Sequence, residues 1–338
     1  MLTIQQMLRM GSAVLGHKFF GLSRPLNVML AVTDRCNSRC RYCNIPGRGH
    51  PDATTDQLLK LIDEMAAAGA VRLGLWGGEP LLRDDIGELV DHAKSRGLYV
   101  TMDTNGLLWP ERAAELRALD HVIFGLDGRP ENHDANRGAG NQEKVLRAIE
   151  SAAATPGLSA WTITVLNRRN LEDIDYLLDL AERLKFRCTF QILHHNEELG
   201  RNHGELMPAN EEYRAAIRRL LRRKREGARI GSSERYLRYL LAWPDYRTAT
   251  RAGRHLGLSC KAGKLYCNID ADGRVFACSL LIGKAEAANA IQSGFKAAFQ
   301  AIPPLPCQAC TAGCFTEYNY IYGLDPLCIL DWMRAMRR

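Results

Sequence analysis

The chain has 338 residues, enough to bury a large core and to build one big domain beside a smaller one. Its 45 Lys and Arg against 38 Asp and Glu leave a net charge of +7, and aromatic residues are not interleaved with a basic groove, so nucleic acid is not an expected partner. The 11 cysteines cluster at 36–43 and 260–328 with Cys188 apart, which disfavours a secreted disulfide scaffold and points to metal binding in a reducing, cytoplasmic setting; there is no signal peptide and no apolar run of about twenty residues.

In chain order, residues 3–22 mix Ile4, Met7, Leu8, Val14 and Leu15 with Gln5, Gln6, Arg9, His17 and Lys18, the pattern of an amphipathic helix. Packing on the domain is the plain expectation for it, and peripheral contact with a membrane surface or a lipidic substrate the sharper one. Strands are expected at 26–32, 71–76, 98–103, 121–126, 159–166 and 187–193, and helices at 55–68, 86–96, 110–119, 142–154 and 171–184. Strict alternation of strand and helix implies an α/β fold with a parallel sheet and helical crossovers. Further helices are expected at 211–227, with an Arg-rich C-terminal half that suits the helix dipole, and at 235–246.

The first strand delivers Cys36-Asn37-Ser38-Arg39-Cys40-Arg41-Tyr42-Cys43 from its carboxyl end, where open α/β folds place their chemistry. Three cysteines spaced C-x3-C-x2-C supply three ligands to a [4Fe-4S] cube and leave one iron open. A structural zinc site wants a fourth ligand nearby, and His50 lies beyond a Pro-Gly-Arg-Gly turn. The stretch, with Tyr42 before its third cysteine, resembles the signature of the radical S-adenosylmethionine (radical SAM) superfamily. The resemblance implies a partial (β/α)6 TIM-like barrel over roughly residues 24–200, SAM bound through its amino and carboxylate groups to the open iron, and a 5′-deoxyadenosyl radical made with an electron from a flavodoxin or ferredoxin.

Gly77-Gly78-Glu79-Pro80 after the second strand resembles the family's GGEP motif: the glycines permit close backbone approach, and exposed carbonyls or the Glu79 carboxylate would accept from the SAM ammonium. Thr104 and Asn105 end the third strand and Asp127 the fourth, carrying polar groups to the same rim for ribose or substrate. Residues 125–138 resemble the family's S-x-D-G and H-D-x-x-R-G patterns, with Arg137 in place but Gly125 where serine is usual. Asn167, Asn170, Ile163 and Leu193 are candidate walls for the adenosyl group, and His194 and His195 watched positions at the exit of the sixth strand.

A second cysteine region holds Cys260, Cys267, Cys278, Cys307, Cys310, Cys314 and Cys328. An Asp-Gly turn between apolar runs predicts a hairpin that brings Cys267 and Cys278 together on a small two-stranded unit. The segment resembles the SPASM or twitch extension of radical SAM enzymes, opened by Cys260, Gly273 and Cys278, and implies one or two auxiliary [4Fe-4S] clusters, with two preferred. Zinc at Cys307, Cys310, Cys314 and Cys328 is the competing reading. Ser279 stands where sulfatase-oxidising relatives carry an acidic base, so that reaction is not expected, and Glu317, Tyr318, Tyr320 and Tyr322 lie nearby to move a proton.

The expected division is 1–23 helix, 24–205 barrel, 206–255 helical linker and 256–338 auxiliary iron-sulfur domain. The expected activity is radical modification of a small-molecule or lipid-linked substrate; maturation of a peptide is the second reading, set behind because residues 1–25 are short for a leader-binding domain. A non-catalytic iron-sulfur electron carrier is the third.

Overall fold

In the computed structural model, residues 2–337 are described, the side chains of 336 and 337 excepted. Six strands, β1 (Asn27–Thr33), β2 (Arg72–Gly77), β3 (Tyr99–Thr104), β4 (His121–Gly125), β5 (Ser159–Leu166) and β6 (Arg187–Ile192), run parallel in sequence order. Helices Thr55–Ala67, Ile86–Ser95, Asn141–Ala153 and Ile174–Leu184 cross between them and cover the outer face, burying Leu61, Ile62, Leu89, Val90, Ile149 and Leu177. The chain thus forms the partial (β/α)6 barrel, curved because each strand twists against the next.

The stretch expected as a helix at 110–119 is shorter, a turn at Trp109–Arg112 followed by a 3-10 turn at Ala113–Glu115. Helix Pro130–Arg137 is missed by periodicity, since Pro-Glu-Asn-His-Asp-Ala-Asn-Arg has no apolar stripe; Pro130 in its first turn is the signal that marks it. Residues 206–255 carry helices Asn210–Arg225 and Glu234–Leu241, which add Tyr213, Ile217 and Tyr236 to the main core, with Trp243 and Tyr246 added by the segment after them.

The short strand β7 (Thr250–Arg251) pairs antiparallel with β10 (Ala309–Cys310). The Asp-Gly hairpin is present as β8 (Tyr266–Ile269) and β9 (Val275–Phe276), but it is not a free-standing unit. β8 runs parallel to β1, with Val28 opposite Cys267, and extends the sheet to the order β6-β5-β4-β3-β2-β1-β8-β9. Tyr266 to Ile269 are all buried, so pairing with β1 satisfies the edge and hides apolar surface at once. Helices Gly313–Tyr322 and Pro326–Arg337 close the C-terminal region. Among the described residues no helix is long and apolar enough to cross a membrane.

Candidate active site

The cysteine loop leaves β1 at the carboxyl rim of the barrel, with Cys36, Cys40 and Cys43 half-buried. Ser38 organises it: its N–H donates to Cys36 Sγ at 3.4 Å, its hydroxyl lies 3.4 Å from Cys40 Sγ, and that hydroxyl donates to the Arg137 carbonyl at 2.9 Å. Burial pushes the Cys36 thiol up to about 11, and the neighbouring Glu79, Cys40 and Cys43 push the same way. Burial also raises Cys43, with Cys40 adding to it. Thiolates gathered this closely repel one another until a cation is placed among them, which fits a cluster held by these three sulfurs.

The two glycines let β2 end against this loop. Gly77 adopts φ 132°, and a Cβ on either glycine would strike the backbone oxygens of Thr33 or of Asp34 and Arg35. Gly78 and Glu79 N–H groups donate to the Thr33 and Arg35 carbonyls, each at 2.8 Å. The Glu79 carboxylate, a candidate acceptor for the SAM ammonium, is wholly buried. It accepts from Thr104 Oγ1 and Asn105 N at 2.7 Å and from Leu81 N at 3.0 Å. Burial raises it to about 7 against those hydrogen bonds, so this carboxyl locks the ends of β2 and β3 together. Pro80, buried, opens the 3-10 turn that carries the chain away. Asn105 Nδ2 reaches back to Asn37 Oδ1 at 2.7 Å and Cys36 Sγ at 3.7 Å, tying the end of β3 to the loop.

Asp127 is likewise taken up by the frame and does not stand free at the rim. It accepts from Arg137 Nε at 2.7 Å, Tyr42 Oη at 3.1 Å, Asn136 Nδ2 at 2.5 Å and Val165 N at 3.2 Å. Burial alone would raise its carboxyl, yet the Arg137 guanidinium holds it below the usual carboxylate range. Arg137 also donates to Tyr42 Oη, so the aromatic of the cysteine motif is pinned across the barrel mouth. Gly125 now has a reason: a Cβ there would run into the Arg137 guanidinium, and serine does not fit beside the locked Arg137–Asp127 pair. Asn167 and Leu193 are 2% and 3% exposed: Asn167 Nδ2 donates to the Val165 carbonyl at 3.0 Å, and Leu193, whose N–H donates to Tyr213 Oη at 3.3 Å, lies in the main core.

What lines the barrel interior is a row that periodicity reads only weakly. Met29, Trp76, Asp103, Ile123, Trp161, Ile163, Val165, Thr189 and Gln191 are half-buried, while the alternating strand residues between them are mostly buried. The strand register sets Asp103 beside Ile123 and Ile123 beside Trp161. Burial raises the Asp103 carboxyl to about 6 despite Arg72. Arg72 donates to Thr101 Oγ1 at 3.1 Å and to Tyr318 Oη of helix Gly313–Tyr322. Asp103 was read only as the end of a strand, since a lone acid before Thr-Asn-Gly carries no signal. His194 is held below its usual range, at about 4, by burial, and its ring meets Gln191 Nε2; the His195 ring packs 4.7 Å from that of His203.

The second cysteine region is brought together in part. Burial raises the Cys278 thiol, and the neighbouring Cys310, Cys260 and Cys307 add to it; Cys310 and Cys307 are raised by burial and then by Cys260. Cys260, Cys278, Cys307 and Cys310 are thus linked, with Cys260 raising each of the other three, and Cys310 is also raised by Cys314. The other three cysteines have different surroundings. Cys267 is fully buried in β8, its thiol raised by burial alone. Cys328 donates to Glu317 Oε2 at 3.2 Å while Glu317 Oε1 accepts from Ser233 N at 2.6 Å. Cys314, an exposed residue at the start of helix Gly313–Tyr322, has its thiol raised to about 12 by burial and then by Asp103.

Among the described residues the one group of three ligand atoms within 4.8 Å of one another is Asp34, His50 and Asp270. Mononuclear zinc needs sulfurs about 4 Å apart, so neither cysteine set is built for it. In that trio Arg48 already supplies the cation: its guanidinium donates to Asp270 Oδ2 at 2.8 Å and Oδ1 at 2.9 Å and to Asp34, with the Arg48, Asp34 and Asp270 side chains at most 3% exposed. The network ties the cysteine loop to the β8–β9 turn.

Residues 30–181 match the family model of the Radical SAM superfamily. Across 92% of this chain and 84% of the relative, the chain is 30% identical to mycofactocin maturase MftC of Mycolicibacterium smegmatis. It is 32% identical to PqqA peptide cyclase of Xanthomonas campestris pv. campestris over 57% of this chain and 54% of that protein. Among solved structures, Streptococcus suis SuiB bound to S-adenosylmethionine superposes at TM-score 0.67 with 14% identity, over 87% of this chain and 70% of that one. The anSMEcpe structure with bound AdoMet superposes at TM-score 0.62 with 16% identity, over 91% and 99%. With its cysteine loop, its barrel and its C-terminal cysteine set, the chain belongs to the radical SAM superfamily and carries a SPASM/twitch-like auxiliary iron-sulfur region.

Proposed function

We propose that this enzyme carries out a radical modification of a peptide-derived substrate. The observation that carries the reading is the 30% identity to a maturase across 92% of the chain, joined by a peptide cyclase at 32%. It displaces the small-molecule or lipid-linked substrate to second place.

When bound, the cluster at Cys36, Cys40 and Cys43 together with SAM supplies a 5′-deoxyadenosyl radical, using an electron from a flavodoxin- or ferredoxin-type donor. The protein's part is positioning. Glu79 and Asn105 hold the ends of β2 and β3 against the cysteine loop, and Arg137 with Asp127 fixes Tyr42 across the mouth. Trp76, Trp161 and Ile163 give an apolar wall that keeps water from the reacting carbon. Asp103, a lumen carboxyl with its pKa near 6, is placed to take the proton released when a substrate radical is oxidised. Cys260, Cys278, Cys307 and Cys310 would hold a single auxiliary cluster, and residues 24–205 and 256–338 divide the work between radical generation and this second centre.

The test is anaerobic reconstitution with dithionite, SAM and candidate peptides deuterated at single side chains. Transfer of deuterium into 5′-deoxyadenosine from a peptide supports the reading. Deoxyadenosine formed without label from any peptide, yet labelled from a small molecule or lipid-linked substrate, reverses the order of the two.

A further inference from the structure

The N-terminal helix Ile4–Phe20 is apolar on two opposite sides. A Thr3–Gln6 capping box starts it, and Gly21 at φ 67° ends it. Its inner side buries Ala13 and Val14 in the cluster that holds Leu26, Val71 and Leu265. At about 100° per residue, Ile4, Leu8, Leu15 and Phe19 fall in one stripe on the opposite side. They are 73%, 69%, 47% and 68% exposed; Phe20, which ends the helix beside the stripe, and Leu22 after it are exposed at 79% and 46%. Single exposed apolar residues are ordinary, but a continuous row on one element marks an interaction face.

Charge selects the occupant. Residues 1–25 contain Arg9, Lys18 and Arg24 and no Asp or Glu. Beside the end of the stripe opens a hollow of about 1000 Å³ whose lining includes Arg24, Lys264 and Lys296, with Glu64 its one acid. Glu64 is already engaged, accepting from Phe295 N at 2.6 Å. A second copy of the chain brings the same cations to this face and no acid but the engaged Glu64, so self-pairing lacks a charge complement. A layer of lipid phosphates over acyl chains complements both the cations and the apolar row.

The helix is also placed where docking leaves the chemistry free. Gln6 Nε2 donates to the Gly97 carbonyl at 2.9 Å and Arg9 to the Ala70 carbonyl at 3.1 Å. Both carbonyls precede the strands β3 and β2, at the end of the barrel opposite the cysteine loop.

We propose that this face seats the enzyme on an anionic membrane surface, with Ile4, Leu8, Leu15, Phe19 and Phe20 among the acyl chains and Arg24, Lys264 and Lys296 against lipid phosphates. The proposal is independent of the substrate. The experiment is flotation of the reconstituted holoenzyme with vesicles of phosphatidylcholine containing phosphatidylglycerol, against phosphatidylcholine alone. Binding to the anionic vesicles is expected to exceed that to the neutral ones by at least about tenfold and to fall with salt. The double variant Leu8→Glu, Phe19→Glu is expected to lose at least about tenfold in vesicle binding with iron content and thermal midpoint unchanged, because both side chains are exposed. Lys264→Glu, Lys296→Glu is expected to weaken binding to the anionic vesicles alone, and serves if the first variant misfolds. Equal binding to both vesicle types, or parent-like binding by both variants, overturns the proposal. So does an absence of vesicle binding with a dimer in light scattering that Leu8→Glu, Phe19→Glu makes monomeric.

Discussion

The two cysteine regions solve different problems with the same side chain. At the rim, three half-buried thiols sit on one loop of eight residues, Cys36 to Cys43, and the barrel spends Glu79, Asn105, Asp127 and Arg137 on holding that loop still. In the C-terminal region the four interacting thiols come from separated segments, Cys260 from a loop, Cys278 after β9, Cys307 from a loop and Cys310 from β10. Three ligands leave a metal position for a small molecule; four close the site. A local motif is enough to gather three thiols supported by neighbours, whereas thiols on separate segments are brought near one another only by the fold.

The sharpest way to break the comparison is at the first loop. Cys36→Ala is expected to abolish 5′-deoxyadenosine formation and to lower iron from about eight to about four per chain, leaving the auxiliary signal in the electron paramagnetic resonance spectrum. Next, Cys278→Ser is expected to remove about four irons while deoxyadenosine still forms in the absence of substrate, whereas Cys267→Ser, Cys314→Ser and Cys328→Ser keep the full iron content. Iron loss in any of those three would redraw the auxiliary set.

The supports of the rim loop should matter for stability as well as activity. Arg137→Ala strands a buried Asp127 carboxylate and is expected to cost about 3–5 kcal/mol in denaturant unfolding. Gly125→Ser, a restoration of the residue usual in relatives, is expected to destabilise by about 1–3 kcal/mol and to loosen SAM binding, because its side chain displaces the Arg137 guanidinium. The smallest effect concerns Asp103. Its carboxyl is raised in the folded state, so the folded form keeps a proton that the unfolded form loses above pH about 4; stability falls as pH rises toward about 6 and then levels. Asp103→Asn should flatten that decline and stabilise the apo-protein at neutral pH by about 1–2 kcal/mol, read from unfolding curves across pH.

The superfamily and the barrel were legible because their signals are local. Strand and helix alternate with clear periods, and Cys36 to Cys43 and Gly77 to Pro80 lie within single turns at strand ends. Hydrogen-bond partners that depend on direction were not legible. Glu79 and Asp127 lie in the expected motifs, and their buried carboxylates accept from N–H and O–H groups where the barrel strands end. The charge of Asp103 is felt at Cys314 from a position far apart in the chain, an influence no spacing encodes.

By itself the sequence determined the radical SAM class, the order of strands and helices and the three ligands of the first cluster, since each rests on contacts between near neighbours in the chain. The tertiary structure alone decided that β8 completes the barrel sheet beside β1 and that the outer stripe of the first helix stays uncovered. These depend on how distant segments close on one another, and burial and charge settle that only when the whole chain is folded.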